Sequence, residues 1–205
     1  MIRDLLWACP QCGTERGIRQ NGRRETCTAC GTEYRRGRGS TIEARDARGL
    51  RITLPATTWM QRLPPVRFGE GESGEGGGGE SAYSERVQVR FAAGVTAVRR
   101  ATELLGWAEH FGEARTGILT LTRDGLAFHA DDDEVREWPL ALLTAVQPSS
   151  STLQLKPRGE PLVSLRFLEG SARYWEELLQ LALRRFYRRS GLGEILEFQP
   201  RIVAR

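Results

Sequence analysis

The chain has 205 residues, 40% of them hydrophobic and 27% charged, the balance of a folded protein of one or two domains rather than a disordered or fibrous one. Its longest uncharged stretch, Trp138 to Leu155, is broken by Pro139, Pro148 and three consecutive serines, so it cannot supply the roughly 20 apolar residues of a membrane-spanning helix. The net charge of +4 is too small to argue by itself for a nucleic-acid partner.

The excess is local: residues 1–63 hold 12 Arg against 6 acids, while residues 83–205 hold 17 basic against 16 acidic groups. Lys156 is the single lysine, a bias set more plausibly by codon composition than by a repeated need for guanidinium groups. The N-terminus, Met1 to Cys9, has no basic segment, apolar run and cleavage site of a signal peptide, so the expected compartment is the cytoplasm, where disulfides are rare. Composition divides the chain into a cysteine-containing zone (1–63), a Gly/Glu zone (64–82) and an apolar-patterned zone (83–205).

In the first zone, Cys9-Pro10-Gln11-Cys12-Gly13 and Cys27-Thr28-Ala29-Cys30-Gly31 are two CxxC pairs that use every cysteine present. Two thiolates from each tight turn complete a tetrahedron around Zn2+, and four protein ligands leave no place for an exchangeable water. Cys9, Cys12, Cys27 and Cys30 are therefore expected to hold a structural zinc, with redox dithiols and disulfides as the alternatives. Gly13 and Gly31 should let the chain turn as backbone N–H groups approach the sulfurs, and Trp7, Ile18 and Tyr34 should cover the site. Over about residues 5–38 the motif resembles the zinc ribbons: a CPxCG knuckle, a hairpin carrying Arg19 to Arg24, a second CxxCG knuckle and a closing strand from Thr32 to Arg36. That resemblance implies a fold and leaves function open among nucleic-acid binders, adaptors and accessory parts of enzymes.

Arg16, Arg19, Arg23, Arg24, Arg35, Arg36 and Arg38 make this ribbon basic. Phosphate contact, led by Arg16, Arg19, Arg23 and Arg24, would make it a nucleic-acid binder. A solvated surface compensating a four-thiolate centre is favoured instead, because Trp7 and Tyr34 already have packing roles and no stacking platform remains. Period-two alternation then predicts a hairpin, Ser40–Arg45 and Leu50–Leu54 about a turn at Asp46–Gly49. Thr57–Leu63 reads as a short helix ended by Pro64-Pro65. Gly69 to Glu80 contains no aromatic or β-branched residue, so 64–82 is expected to be a flexible linker between independently folding zones.

The third zone opens with a strand, Arg86–Phe91, and a short helix, Val98–Phe111. Further strands follow at Gly117–Thr122, Leu126–Ala130, Val135–Trp138, Leu142–Val146, Thr152–Lys156 and Leu162–Phe167. The first turn, Arg123-Asp124-Gly125, is expected to use Gly for a positive φ. Evenly spaced short strands suggest a small antiparallel barrel or sandwich. A helix capped by Ser171 should lay Trp175, Leu178, Leu179, Ala182 and Phe186 on the sheet, with Glu176 and Glu177 early and Arg184, Arg185, Arg188 and Arg189 late.

Residues 116–189 resemble the pleckstrin-homology (PH) superfold, especially its GRAM-like members. The resemblance rests on Gly117–Thr122, Leu126-Ala127-Phe128, Trp138-Pro139-Leu140, Leu143–Val146, Leu153–Leu155, Leu165–Phe167 and a helix with Trp175. It implies binding without chemistry, to anionic lipids in some members and protein segments in others, and it implies seven strands where six are clear. Arg86–Phe91 either supplies the seventh across a helical insertion or lies outside the domain. Asp131-Asp132-Asp133-Glu134 is expected to repel phosphate, which weighs against phosphoinositide recognition; as a calcium loop it lacks spaced ligands.

The expected fold class is thus mainly β with a C-terminal α-helix: an N-terminal zinc ribbon plus a small antiparallel PH-like barrel capped by a helix. His110 and His129 belong to no HExxH motif, and neither a GxSxG elbow nor a phosphate loop occurs, so no enzymatic activity is expected, and the sequence identifies no small-molecule substrate. The chain reads as a cytoplasmic, non-catalytic adaptor or recruiting module for a protein partner, with a membrane surface as a further candidate. The alternatives are nucleic-acid binding through the ribbon, and a regulatory part of a lipid-related enzyme such as a glycerol-phosphate acyltransferase. The last is motivated by the strand-like tail Gly193 to Val203.

Overall fold

The computed structural model of the protein describes residues 2–21, 24–67, 83–149 and 151–193. Most of the expected linker and the tail from Glu194 onward, with the strand expected there, lie outside the described residues. The chain forms two compact units, Met1–Val66 and Arg67–Arg205.

The first unit is a five-stranded antiparallel meander, β1 (Ile18–Asn21), β2 (Arg24–Cys27), β3 (Glu33–Arg36), β4 (Thr41–Arg45) and β5 (Arg51–Pro55), followed by α1 (Ala56–Met60). The expected ribbon hairpin, closing strand and second hairpin all form, and β3 pairs with β4 so that they share one sheet. At the β4–β5 turn the Asp46 carboxylate accepts the N–H groups of Arg48 (2.9 Å) and Leu50 (2.8 Å), and Gly49 takes the left-handed φ of 87°. Ile2, Leu6, Ile18, Tyr34, Ile42, Ala44 and Trp59 form the core together with Cys9 and Cys27. Trp59 sits edge-on to Tyr34, 6.1 Å between ring centres, and its indole N–H donates to the Ile42 carbonyl at 2.9 Å. The short helix thereby closes the open end of a sheet too small to bury an aromatic cluster unaided.

The second unit is built on β6 (Tyr83–Arg100), β7 (Glu103–Phe111), β8 (Arg115–Leu121), β9 (Gly125–Ala130), β10 (Val135–Pro139), β11 (Leu143–Pro148), β12 (Thr152–Pro157), β13 (Val163–Phe167) and α2 (Ala172–Arg189). The sheet order is β10-β9-β8-β6-β13-β12-β11, with β7 paired to β6 off this path. Alternate residues of β8, β9, β12 and β13 point inward, and the curled sheet is capped by α2. Ser171 caps the helix by accepting the Tyr174 N–H at 3.3 Å.

Several expectations are corrected here and one open alternative is resolved. The segment Val98–Phe111 is not helical: it forms the end of β6 and all of β7. Arg86–Phe91 lies within β6 between β8 and β13, so it belongs to the sheet, and the insertion after it is a β-ribbon. Gly125 has no positive φ; it begins β9 opposite Pro139, where an added Cβ would lie 3.0 Å from the Trp138 carbonyl oxygen. Close approach, not turn geometry, requires glycine there. On α2 the buried stripe is Ala172, Trp175, Leu178, Leu179, Ala182 and Leu183, while Phe186 is only half-buried. Glu176 is buried rather than solvated, held by Arg173 at 3.0 Å and Gln180 at 3.0 Å, and burial raises its pKa.

Candidate metal centre

Both cysteine pairs sit on matched turns. In the first, the Cys9 N–H donates to the Thr14 carbonyl (3.0 Å) and the Gly13 N–H to the Cys9 carbonyl (2.8 Å); in the second, Cys27 donates to Thr32 (2.9 Å) and Gly31 to Cys27 (3.0 Å). Gly13 and Gly31 have φ of 75° and 72°, the left-handed conformation that glycine adopts without cost. The Gln11 and Cys12 amides face the Cys9 sulfur, and the Ala29 and Cys30 amides face that of Cys27. Trp7, Ile18 and Tyr34 are all buried, as the covering role requires.

These turns bring the four sulfurs within 4.8 Å of one another. Cys9 and Cys30 are 3.7 Å apart, as are Cys12 and Cys27. A tetrahedron with metal–sulfur bonds near 2.3 Å has edges of about 3.8 Å, whereas a disulfide requires about 2.05 Å. The residues present therefore fit a four-thiolate ion. Among the described residues this is the one group of three or more potential ligands, and Asp131 to Glu134 do not converge. Their turn is instead tied by Arg86 to Asp131 (2.7 Å), by Arg136 to Glu134 (2.7 Å) and by an Arg115–Glu134 pair, so much of its negative charge is already matched.

Sequence reading missed a second ring of donors. Tyr34 was expected to cover the site, but its hydroxyl also lies 3.0 Å from the Cys9 sulfur. Thr14 and Thr32 place their hydroxyls 3.2 Å and 3.1 Å from the sulfurs of Cys12 and Cys30. The signal for the threonines was available, because the repeated unit is CxxCGT, at 9–14 and 27–32, and not only CxxCG. Glu25 was also overlooked: buried on β2, it accepts the N–H groups of Ile2 (3.0 Å) and Arg3 (2.7 Å) and fixes the chain that leads into the first knuckle. Hydrogen bonds of this kind orient metal ligands and tune their basicity. Tyr34→Phe is accordingly expected to weaken metal binding by roughly tenfold while leaving the β-sheet spectrum unchanged, as measured by competition with a chromophoric chelator.

The thiols differ in proton affinity. Burial pushes Cys9 up to about 12, outweighing the Tyr34 hydroxyl, and burial also raises Cys27. Cys12 is held down to about 6, chiefly by the Thr14 hydroxyl. In the folded arrangement the buried thiols of Cys9 and Cys27 therefore favour their protonated forms at neutral pH. Because an ion binds thiolates, loading at pH 7 is expected to release at least the Cys9 and Cys27 protons and to tighten as pH rises. Calorimetry in two buffers of different ionisation enthalpy measures the release; a buffer-independent heat would contradict it.

Two of the basic arginines of this unit are paired with glutamates. Arg24 pairs with Glu33 (3.1 Å) and Arg35 with Glu43 (2.7 Å), while Glu33 lies opposite Arg45 in the β3–β4 register. Arg19 is on β1, Arg36 ends β3, Arg38 lies in the next turn and Arg23 is outside the described residues. His129 is exposed on β9 between Ile118 and Val135, and the His110 Nε2 on β7 lies 2.6 Å from the Thr96 hydroxyl on β6. No described helix is long and apolar enough to cross a membrane. No protein-family model matches the chain, and no curated protein matches it significantly.

Proposed function

We propose that this chain is a cytoplasmic, non-catalytic recruiting module, in which a zinc ribbon is joined to a PH/GRAM-like unit that binds a protein partner, or a membrane surface. The observation that carries this reading is the four-sulfur site, in which matched turns, two buried and two more accessible cysteines, and three nearby hydroxyls offer an ion four protein ligands. Such a centre organises a fold and offers no coordination position to a substrate. Support for the second half comes from β6, which adds a seventh strand to the six evident in the sequence, and from α2 capping the sheet with Trp175 stacked on Phe167, 5.2 Å between ring centres.

The pairing of Arg24 and Arg35 with glutamates lowers the drive toward phosphate, because an ion-paired guanidinium releases less on meeting a polyanion. The experiment is a binding screen on the metal-loaded full chain at low salt, against single- and double-stranded DNA and RNA, neutral and anionic vesicles, and a cell lysate. Retention of a defined protein, or vesicle binding, with flat nucleic-acid titrations is the expected result. Salt-sensitive nucleic-acid binding lost on replacing Arg19 and Arg36 by glutamine would replace this reading with the nucleic-acid one.

A further inference from the structure

Residues 92–111 form a two-stranded ribbon. Tyr83 to Phe91 of β6 are flanked by β8 and β13, whereas Ala92 to Arg100 pair with β7 alone, and β7 has no other partner strand among the described residues. At about 3.3 Å per residue the ribbon reaches on the order of 30 Å from the sheet. Five large apolar side chains stand exposed on it: Trp107 is 66% exposed, Val95 60% and Leu105 57%, with Val98 and Leu104 also exposed. The register puts Val95, Ala97 and Trp107 on one face and Thr96, Val98 and Ala108 on the other. A bare two-stranded hairpin is marginal in water, and a concentrated apolar patch marks an interaction surface. The outer edge of β7 also offers an open row of backbone donors and acceptors.

We propose that a second copy of this chain covers the ribbon, β7 lying antiparallel to β7 about a twofold axis at Trp107 to give a four-stranded sheet. The open edge favours a strand over lipid, because hydrocarbon cannot satisfy a free row of N–H and C=O groups. Charge points the same way: Arg99 and Arg100 cancel Glu103 and Glu109, so the ribbon neither repels a copy of itself nor carries the basic cluster that draws a segment to an anionic surface. The register is self-complementary. Leu105 is bulged out of the β6–β7 pairing, since Val98 faces Gly106 and Arg99 faces Leu104. With that residue skipped, the twofold sets indole beside indole, Gly106 opposite Ala108, and Glu103 opposite His110. The β6 edge is the poorer choice, because it ends in Arg99 and Arg100, charges that blunt edge pairing.

Two such edges and their side chains bury roughly 1,000 Å2 in total, at the small end for a specific interface, the range of weak and transient association. Sedimentation equilibrium of the metal-loaded full chain between about 1 and about 100 µM tests this. A monomer–dimer transition is expected, with Trp107→Lys and Leu105→Lys each raising the dissociation constant at least about tenfold, the loss of about 1.4 kcal/mol. Leu50→Lys, at a similarly exposed leucine of the first unit, should leave it unchanged. A monomer throughout that range would overturn the proposal, as would a dimer indifferent to both ribbon substitutions. So would a monomer whose tryptophan emission shifts on phosphatidylcholine or phosphatidylserine vesicles and loses that shift in Trp107→Lys, which assigns the ribbon to a lipid surface.

Discussion

Replacing Cys27 by serine is expected to unfold the first unit and leave the second folded. Cys27 ends β2 opposite Ile18, is fully buried, and places its sulfur 3.7 Å from that of Cys12. The substitution removes one of the four sulfurs placed to bind an ion and leaves three. Structural zinc supplies on the order of 10–16 kcal/mol in small domains, whereas a core within 66 residues supplies only a few beyond its entropy cost. Loss of the ion therefore exceeds what Ile2, Leu6, Ile18, Tyr34 and Trp59 can hold. In an amide correlation spectrum, resonances of residues 2–66 should collapse to random-coil positions while those of 83–193 persist. Retained dispersion in the first unit would show that its core stands without the metal.

In the second unit the largest single-site effect is expected at Gly117. This residue lies in β8 between Val87 of β6 and Ala130 of β9. An added Cβ would sit 2.1 Å from the His129 carbonyl oxygen, 2.7 Å from the Ala130 Cα and 2.8 Å from the Phe128 ring. Two of these are backbone atoms of a paired strand and the third belongs to a buried ring, so none can move without opening the β8–β9 ladder. Gly117→Ala should destabilise the unit by at least about 3 kcal/mol, at the upper end for an overpacked core, and lower its melting temperature by roughly 10 °C. Gly112→Ala is the control, because its nearest neighbour would be the Phe91 carbonyl oxygen at 3.7 Å. Equal melting temperatures for the two variants in differential scanning calorimetry would refute the packing explanation.

The convergence of the four cysteines was the most legible part of the chain, because it is written locally: two sulfurs per turn, with glycine where the turn needs a left-handed residue. The hydroxyl ring around the sulfurs was less so, since Tyr34 reaches Cys9 across 25 residues of sequence and only the fold sets that approach. The ribbon of β6 and β7 was misread for a physical reason. Val98, Ala101, Leu104, Leu105 and Ala108 recur at helical spacing, yet Ala101 takes a φ of 55° in the connecting turn and Gly106 disfavours a helix through the segment. Periodicity normally records which face is buried, and a ribbon exposed on both faces imposes no alternation for the sequence to display. Gly125 and Phe186 show the same limit at smaller scale: the need for glycine at the first, and the weak burial of the second, depend on where Trp138 and α2 lie in the folded unit.

The most direct test of the central claim is native mass spectrometry of the purified full chain, joined to elemental analysis. One zinc ion per chain is expected, removed by a strong chelator together with the amide dispersion of residues 2–66 and restored with it on adding zinc back. A folded first unit that carries no ion and exposes four titratable thiols, or that shows the mass loss of two disulfides, would contradict it.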